Sequence, residues 1–402
     1  MKWKIYILDL LIVLSFIGCS NNSGTSSLRP QSSTSMQTNI SKLFSQTTLV
    51  DNAKKAALSY QDIYNSVKES SAKYEQYVSF IVPESEMQKI IMRISTLGYP
   101  VYSCGFNPEH LDQMVNFYQH IQSGENADLI FFQVQKNGSL QENELKFHNG
   151  KFYLSTITAA WNISKQLSIG DIGFYLIDQF KLTKNDYFLY HAVGSSSWQN
   201  YSSGFRIRTL PNENFRLYEK FIEPVGYLGN NIFLTDWNKN TISKLNFNDM
   251  FQYVYNLEYS KKPDYKKIYH WDSAVIAIPA NDFEGVITEY FPVTIKQLRQ
   301  LAVYDSKENV YPWTDCFVED EANTTPSAEI IHFRCNKDGS LTLTVNVPDL
   351  YGYNDCAIQH ILTVMPHKDG SFQYLSNTVT INNYRSDWFP NYTPRIMKSI
   401  LG

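Results

Sequence analysis

Apolar residues recur at helical spacing in two neighbouring segments of the first third of the chain. The first stripe runs from Met87 to Leu97 and stops at Gly98, and the second runs from Leu111 to Ile121 and stops at Gly124. Apolar residues three and four apart line one face of a helix, and glycine commonly ends it. Both stripes are predicted core helices, and similar signals predict helices at 51–69, 212–221, 246–259, 281–289 and 295–304.

Short apolar runs separated by turn dipeptides predict strands. Asparagine or aspartate followed by glycine is a strong hairpin signal, and it occurs at 137–138, 149–150, 338–339 and 369–370. The predicted strands are 128–136, 152–160, 173–181, 186–192, 204–209, 275–278, 330–336, 341–347, 357–365 and 371–382. We therefore expect an α+β fold in which antiparallel meanders pack with helices.

One sequence segment occurs twice. Residues 127–140 read ADLIFFQVQKNGSL and residues 328–341 read AEIIHFRCNKDGSL, so seven of fourteen positions are identical. Each copy follows two predicted helices, and each helix pair follows a short apolar strand that ends in Pro83 or Pro279. Two tandem, related helix–helix–meander units explain this pattern. The alternative is convergence, because an apolar strand followed by such a turn is a common way to build a hairpin.

The repeated segment also bears on the cysteines. Cys335 stands where the first copy has Val134, and strand alternation places it on the same face as Phe333, so we predict that it points inward. Four cysteines follow Cys19 and none belongs to a CxxC pair, which gives no sign of a redox or zinc motif. The pairing we predict is a disulfide between Cys316 and Cys335, and buried free thiols are the alternative.

Composition narrows the class of partner. The 402 residues carry a net charge of −4 with acidic and basic residues interspersed, which argues against nucleic acid as a partner. Charged residues make up 18% of the chain and aromatic residues 15%. Tyrosine and phenylalanine favour strands, so this bias supports a sheet-rich protein.

The N-terminus indicates where the protein resides. Lys2 and Lys4 precede an apolar run, and Gly18 and Cys19 follow it, an arrangement that resembles the lipobox of bacterial lipoproteins. The resemblance implies cleavage before Cys19, lipid attachment to its sulfur, and a protein held by the lipid on the outer side of a membrane. The alternative, an uncleaved spanning helix, requires roughly 20 apolar residues, and the run after Asp9 is much shorter.

These signals divide the chain into five parts. They are a signal peptide (1–18), a flexible Ser/Thr-rich tether (19–50), an N-terminal α+β domain (51–260), a C-terminal α+β domain (261–385) and a tail (386–402). The boundary between the two domains is placed at the polar segment 261–264, which reads KKPD.

Motifs for several common chemistries are missing from the sequence. There is no GxSxG, HExxH, P-loop or GxGxxG motif, and the eight histidines are scattered. We therefore expect no metal site, no cofactor and no recognisable catalytic residue. Paired carboxylates for glycoside hydrolysis are commonly distant in sequence, so an extracytoplasmic hydrolase of glycans or peptides stays open.

Aromatic residues in predicted loops are the remaining candidates for a binding surface. They are Trp198, Tyr201, Tyr351, Tyr353 and Trp388. Aromatic side chains on loops hold sugars or peptides at low entropic cost. The alternative is that they cover the ends of the core.

Several short segments together resemble an uncharacterised lipoprotein family of low-GC Gram-positive bacteria. They are YEKFIEPVG (218–226), NNIFLTDW (230–237), YFPV (290–293), QLR (297–299), YPW (311–313) and DGSF (369–372), with Ser376-Asn377. The resemblance covers most of 73–382 and implies anchoring on the outer face of the single cell membrane. It implies no catalytic residue. We expect a non-catalytic envelope protein that binds a glycan or protein, with the hydrolase as the alternative.

Overall fold

A computed structural model describes residues 39–71, 82–103, 105–161, 166–194, 199–265, 275–315, 328–384 and 392–401. The described residues form an α+β protein built from antiparallel sheets packed with helices, as the sequence predicts. The helices are α1 (Gln46–Ser59), α2 (Gln61–Ser71), α3 (Glu84–Ser95), α4 (Leu111–Ser123), α5 (Asn212–Phe221), α6 (Phe247–Tyr259), α7 (Ala280–Tyr290) and α8 (Ile295–Leu301). Single 3₁₀ turns lie at Ile242–Lys244 and Lys398–Leu401.

Fourteen strands make up the sheets of the described chain. They are β1 (Val101–Ser103), β2 (Ala127–Val134), β3 (Leu140–His148), β4 (Lys151–Trp161), β5 (Leu167–Ile169), β6 (Gly173–Leu182), β7 (Tyr187–Val193), β8 (Tyr201–Arg206), β9 (Ile276–Pro279), β10 (Val310–Trp313), β11 (Glu329–Cys335), β12 (Leu341–Asp349), β13 (Asn354–Pro366) and β14 (Phe372–Asn382).

The strands form one large and two small sheets. In the large sheet the order is β1-β2-β3-β4-β6-β7-β8, with β5 beside β4, and β1 is parallel to β2. A four-stranded meander has the order β11-β12-β13-β14, and β9 pairs with β10. The segments that carry the repeated sequence thus both begin a meander of consecutive strands.

Recognisable capping groups start the helices. Ser45 and Asn246 accept hydrogen bonds from backbone N–H groups in the first turns of α1 and α6. Thr294 and Gln297 form a reciprocal capping box at the start of α8. Three other helices, α3, α5 and α7, each begin directly after a proline. These local signals explain why the starts of α5, α6, α7 and α8 were predicted to within one residue, whereas the single helix predicted at 51–69 is two helices, α1 and α2.

The same hairpin turn is built three times from a Lys-Asx-Gly-Ser sequence. At Asn137, Asp338 and Asp369 the side-chain oxygen accepts the backbone N–H of the serine two residues later, at 2.9, 3.0 and 3.0 Å. The intervening glycine has a positive φ of 77°, 87° or 96°, which an L side chain tolerates poorly. This geometry accounts for the recurrence of Asx-Gly in the chain.

Three apolar clusters form the core. The first packs α1, α2 and α3 on one face of the large sheet, and the second packs α4 on the opposite face. The third joins α5, α6 and α7 to the four-stranded meander, and its members run from Leu217 to Tyr374. This cluster extends across the polar segment 261–264. The division into two domains there stays a prediction.

A buried ion pair joins the large sheet to the four-stranded meander. Arg206, the last residue of β8, donates to Glu329, the first residue of β11, and both are nearly inaccessible to solvent. Arg208 lies 3.5 Å from the second carboxylate oxygen of Glu329. Arg206 also donates to the backbone oxygen of Phe106 at 2.9 Å. Breaking such a pair leaves an uncompensated buried charge.

The structure corrects three expectations. Cys335 is exposed rather than inward, because it is the last residue of an edge strand, and the apolar cluster that Phe333 still touches ends before it. Tyr201 begins β8 instead of lying in a loop. Helix α8 ends at Leu301 and not at the predicted position 304. The next residue, Ala302, takes an extended conformation.

The hypothesis of two tandem units stays a prediction. Both meanders run through consecutive strands, but β1 extends the first in parallel, whereas β10 pairs with β9 in a separate sheet. Of the two strands predicted before the helix pairs, β9 is present, and the other falls mostly on 72–81, outside the described residues.

No described helix combines the length and apolar character needed to cross a bilayer.

Candidate ligand-binding site

Three of the five aromatic candidates lie in the described part of the chain. They are Tyr201, Tyr351 and Tyr353. Trp198 and Trp388 lie outside the described residues, as do Cys19 and Cys316, so the predicted lipid attachment and the Cys316–Cys335 disulfide stay predictions.

The fold brings tyrosines from distant parts of the sequence together. Tyr201 at the start of β8 packs edge to face against Tyr175 of β6, with ring centroids 5.3 Å apart. Tyr351 lies in the β12–β13 turn, close enough to Tyr201 to affect its ionisation. We call Tyr175, Tyr201, Tyr351 and Tyr353 the tyrosine cluster. It forms where the edge of the large sheet meets a turn of the four-stranded meander.

The β12–β13 turn is held in a fixed shape. The backbone N–H of Gly352 donates to Asp349 at 2.8 Å, and a side chain at position 352 would collide with that carboxylate. Tyr353 adopts a left-handed backbone conformation with φ of 57°, which is unusual for a bulky residue. Such strain persists only where the surroundings enforce it, and it is common at functional sites.

A lysine of the large sheet fixes Tyr353. The Lys181 ammonium lies 4.3 Å from the centre of the Tyr353 ring and donates to the Tyr353 backbone oxygen at 3.3 Å. Nearby, Asn185 donates to Asp355 at 2.7 Å. These contacts tie the β12–β13 turn to strand β6 and the β6–β7 turn, so the cluster is preorganised by two sheets.

A glycine makes room for the Tyr175 ring. A Cβ atom on Gly173 would lie 2.6 Å from two atoms of Tyr175, so the ring folds back over the bare backbone two residues before it. Because Tyr175 in turn packs against Tyr201, a side chain at position 173 would displace both rings. Strand alternation places Tyr175 and Gly173 on one face, but it gives no sign of this contact.

The phenols of Tyr201 and Tyr353 stay neutral at physiological pH. Burial, reinforced by Tyr190, Tyr175 and Tyr351, raises the pKa of Tyr201 well above its ordinary value. Burial and the nearby Asp178 carboxylate raise the pKa of Tyr353 to about 12. Neutral phenols both donate and accept hydrogen bonds, and their rings offer flat apolar faces.

Charged and polar groups border the cluster. Asp178, which faces Tyr353, lies 2.6 Å from the imidazole of His191. Lys181 lies on the same strand. Tyr351 is 60% exposed, whereas Tyr187, Tyr227, Tyr311 and Tyr374 elsewhere in the protein are almost fully buried. The cluster thus presents one exposed ring, Tyr351, beside three partly buried tyrosines, with hydrogen-bonding groups at its rim.

His360 is a buried polar residue whose environment the sequence did not reveal. Its imidazole lies 2.7 Å from the Tyr227 hydroxyl and 2.6 Å from the Asn377 side-chain oxygen, and it stacks on Phe233. Burial lowers the pKa of His360 to about 4. Both ring nitrogens have hydrogen-bond partners, so this is a structural network.

In the described residues no group of three or more His, Cys, Asp or Glu side chains is arranged to hold a metal ion.

The fold and this surface define an α+β protein with an exposed tyrosine cluster at the junction of two sheets. The chain belongs to a family of unknown function (DUF6070), whose model matches residues 46–395. No curated protein matches the chain. No solved structure matches it either.

Proposed function

We propose that this protein is a non-catalytic, lipid-anchored envelope protein that binds a glycan through the tyrosine cluster. The observation that carries the proposal is the contact of the β12–β13 turn, where Tyr351 is exposed, with strand β6, whose Tyr175 packs on Tyr201. Sugar rings have apolar faces that stack on aromatic side chains, and their hydroxyls suit the Asp178, His191 and Lys181 side chains at the rim.

The shape of the cluster favours binding over chemistry. The Tyr351 ring is exposed beside the three partly buried tyrosines, and the nearby Asp178 is paired with His191. An exposed, preorganised aromatic surface binds with little loss of side-chain entropy. The rigid turn at Gly352 and Tyr353 supplies that preorganisation.

Titration of the full chain with soluble oligosaccharides tests the proposal. We expect chitotetraose or maltotetraose to bind in isothermal calorimetry, and Tyr351→Ala to weaken that binding about tenfold, the loss typical of one aromatic stacking contact. Tyr259→Ala is the matched control, because Tyr259 is 51% exposed on α6, outside the cluster. Equal affinities for both variants, or no binding of either sugar, would contradict the proposal.

The envelope location is part of the proposal. The Gly18–Cys19 pattern after a short apolar run supports it. Metabolic labelling with an alkyne fatty acid should mark the wild-type chain, and Cys19→Ala should abolish the label. Labelling that persists in the variant would refute lipid attachment at this residue.

A hydrolase is the second candidate, because two carboxyl groups interact where α3 and α5 approach each other. Burial and the neighbouring Glu84 raise the pKa of Glu219, which is the direction that a general acid of a glycosidase needs. Glu219→Gln should abolish any hydrolysis of the oligosaccharides above. Turnover that survives this substitution would exclude Glu219 as the acid.

A further inference from the structure

The large sheet has an open edge at β2. The three residues of β1 cover only Phe132–Val134 of the eight in β2. Phe132 donates its backbone N–H to Pro100 at 2.9 Å, on the side away from β3. Because backbone groups alternate along a strand, the N–H and C=O of Asp128 and Ile130 project to this side too. In the chain that the structure describes, no strand pairs with them there.

Two other sheet edges in the described chain carry contacts from neighbouring segments. At β14, Trp237 and Asn377 exchange two backbone hydrogen bonds of 2.9 Å, and Val379 donates to Asp236 at 2.7 Å. At β11, the Asn214 side chain donates to the Ile330 oxygen. Natural proteins cover or blunt exposed edges because they pair with other chains. Strand β2 carries no proline, and its pairing with β3 has no bulge.

A groove of about 580 Å³ runs beside this edge. Helix α4 forms one wall through Asn116 and Phe117, and Gly98 and Tyr99 form the other. Gln113 donates to the Gly98 oxygen at 3.0 Å and so joins the two walls. The groove therefore lies directly beside the outward backbone groups of Asp128 and Ile130.

The two faces of the groove differ in chemistry. Toward α4, the lining residues Phe117 and Leu129 are apolar. On the opposite face, Asp128 and Glu144 line the groove and share the ammonium of Lys146, with both distances 2.9 Å, and the His148 imidazole also lies 2.5 Å from Asp128. Two carboxylates against one lysine ammonium give this face an excess of acidic side chains. An added strand would therefore be favoured if its side chains alternate between apolar and cationic.

We propose that the edge of β2 between Asp128 and Ile130 is a docking site for an extended peptide segment of another protein, added as a strand, with alternating apolar and basic side chains. Backbone hydrogen bonds at Asp128 and Ile130 provide the pairing, and the acidic and apolar faces of the groove select the side chains. This site is independent of the tyrosine cluster.

The peptide acetyl-Val-Lys-Val-Lys-Val-Thr-amide is the probe, titrated into the full chain. In an added strand only every second residue directs its N–H toward β2. Two N-methylated forms, one methylated at the valines and the other at the lysines, separate strand pairing from other contacts. We expect one methylated form to lose affinity at least about tenfold and the other to bind like the parent. Equal loss in both forms, no loss in either, or no binding of the parent would overturn the proposal.

Substitutions at Ile130 locate the site. Proline at this position removes the outward N–H and spares the bonds to β3, so Ile130→Pro should abolish binding of the parent peptide. Ile130→Val keeps the N–H and should bind normally. Thermal unfolding shows whether each variant folds. If Ile130→Pro does not fold, the methylated peptides still test strand pairing on the native chain.

Two further results would count against the proposal. The glutamate analogue, acetyl-Val-Glu-Val-Glu-Val-Thr-amide, should bind more weakly than the parent, and equal affinity would contradict the role given to Asp128 and Glu144. Sedimentation of the full chain tests the other occupant, a second copy. Self-association that Ile130→Pro removes would show that the edge serves dimer formation and not peptide capture.

Discussion

Each of the two meanders holds a titratable side chain that is 0% exposed, His360 in one and Glu142 in the other, and the two are hydrogen-bonded to different degrees. In the four-stranded meander, His360 has both ring nitrogens hydrogen-bonded. In the large sheet, Glu142 of β3 is likewise 0% exposed, but Asn52 of α1 donates to one carboxyl oxygen at 3.3 Å and the other oxygen has no partner. A satisfied buried group fixes a structure, whereas an incompletely satisfied one makes its stability depend on protonation.

The two groups limit stability from opposite sides of neutral pH. Burial lowers the pKa of His360 from 6.5 to about 4, so the unfolded chain binds more protons in this interval. Its contribution is complete above pH 6.5 and is lost as the pH falls toward 4. Burial and the nearby Glu144 raise the pKa of Glu142 from 4.5 to about 8. Its contribution is complete below pH 4.5 and is lost as the pH rises through 8.

The largest effect is expected from Glu142→Gln. Between pH 4.5 and 8 the Glu142 carboxyl ionises in the unfolded chain but not in the folded protein, which costs the wild type on the order of 5 kcal/mol, whereas the amide does not titrate. Urea unfolding should show similar stability at pH 5 and a clear advantage for the variant at pH 9. Parallel stability curves for the two proteins across this range would refute the account of Glu142.

Removal of His360 should cost slightly less. His360→Ala leaves a cavity and strips partners from Tyr227 and Asn377, so we expect a loss of about 3 kcal/mol in the free energy of unfolding at pH 7. The variant should also lose the decline in stability between pH 6.5 and 4. If the variant still declines as the wild type does, another group is responsible for that sensitivity to acid.

Tyr227→Phe tests the hydrogen bonding of the buried His360. It removes the hydroxyl near His360 and preserves the ring, so it should destabilise the protein by about 1 kcal/mol. The pKa of His360 should change little, because burial is the main cause of its shift. Histidine NMR titration reports the pKa. A pKa near 6.5 in this variant would show that the hydroxyl and not burial sets the value.

Asn52→Ala is expected to have the smallest effect. It removes the donor to the Glu142 carboxylate, a contact that opposes the rise in its pKa. Stability at pH 5 should therefore change by less than about 1 kcal/mol, and the alkaline decline should extend to a higher pH, because the pKa of Glu142 rises further without this donor. A downward shift of that decline would reverse the role assigned to this side chain.

Local signals made most of the fold predictable. Asx-Gly turns, helix caps and apolar stripes act within a few residues, and the elements built on them match the structure. The three-residue β1 was missed because its pairing with β2 is set by distant contacts. The exposure of Cys335 was missed because alternation does not tell where the packed layer ends.

The candidate site was predictable only in part. Tyr351 and Tyr353 were identified by their position beside Gly352 in a turn. Tyr175 was not, because its role depends on Gly173 and on contact with β8. Glu142 was missed as well, since the polar run Gln141–Glu144 between two apolar residues carries no sign that α1 covers it. Long-range packing created both features.

Nitration of tyrosines with and without a bound sugar tests the central claim most directly. Tetranitromethane modifies exposed tyrosines, and peptide mapping by mass spectrometry quantifies each position. We predict that a saturating oligosaccharide protects Tyr351 and leaves Tyr259 as reactive as in the free protein. Equal reactivity of Tyr351 with and without the sugar, under conditions where calorimetry shows binding, would contradict the assignment of the tyrosine cluster as the binding site.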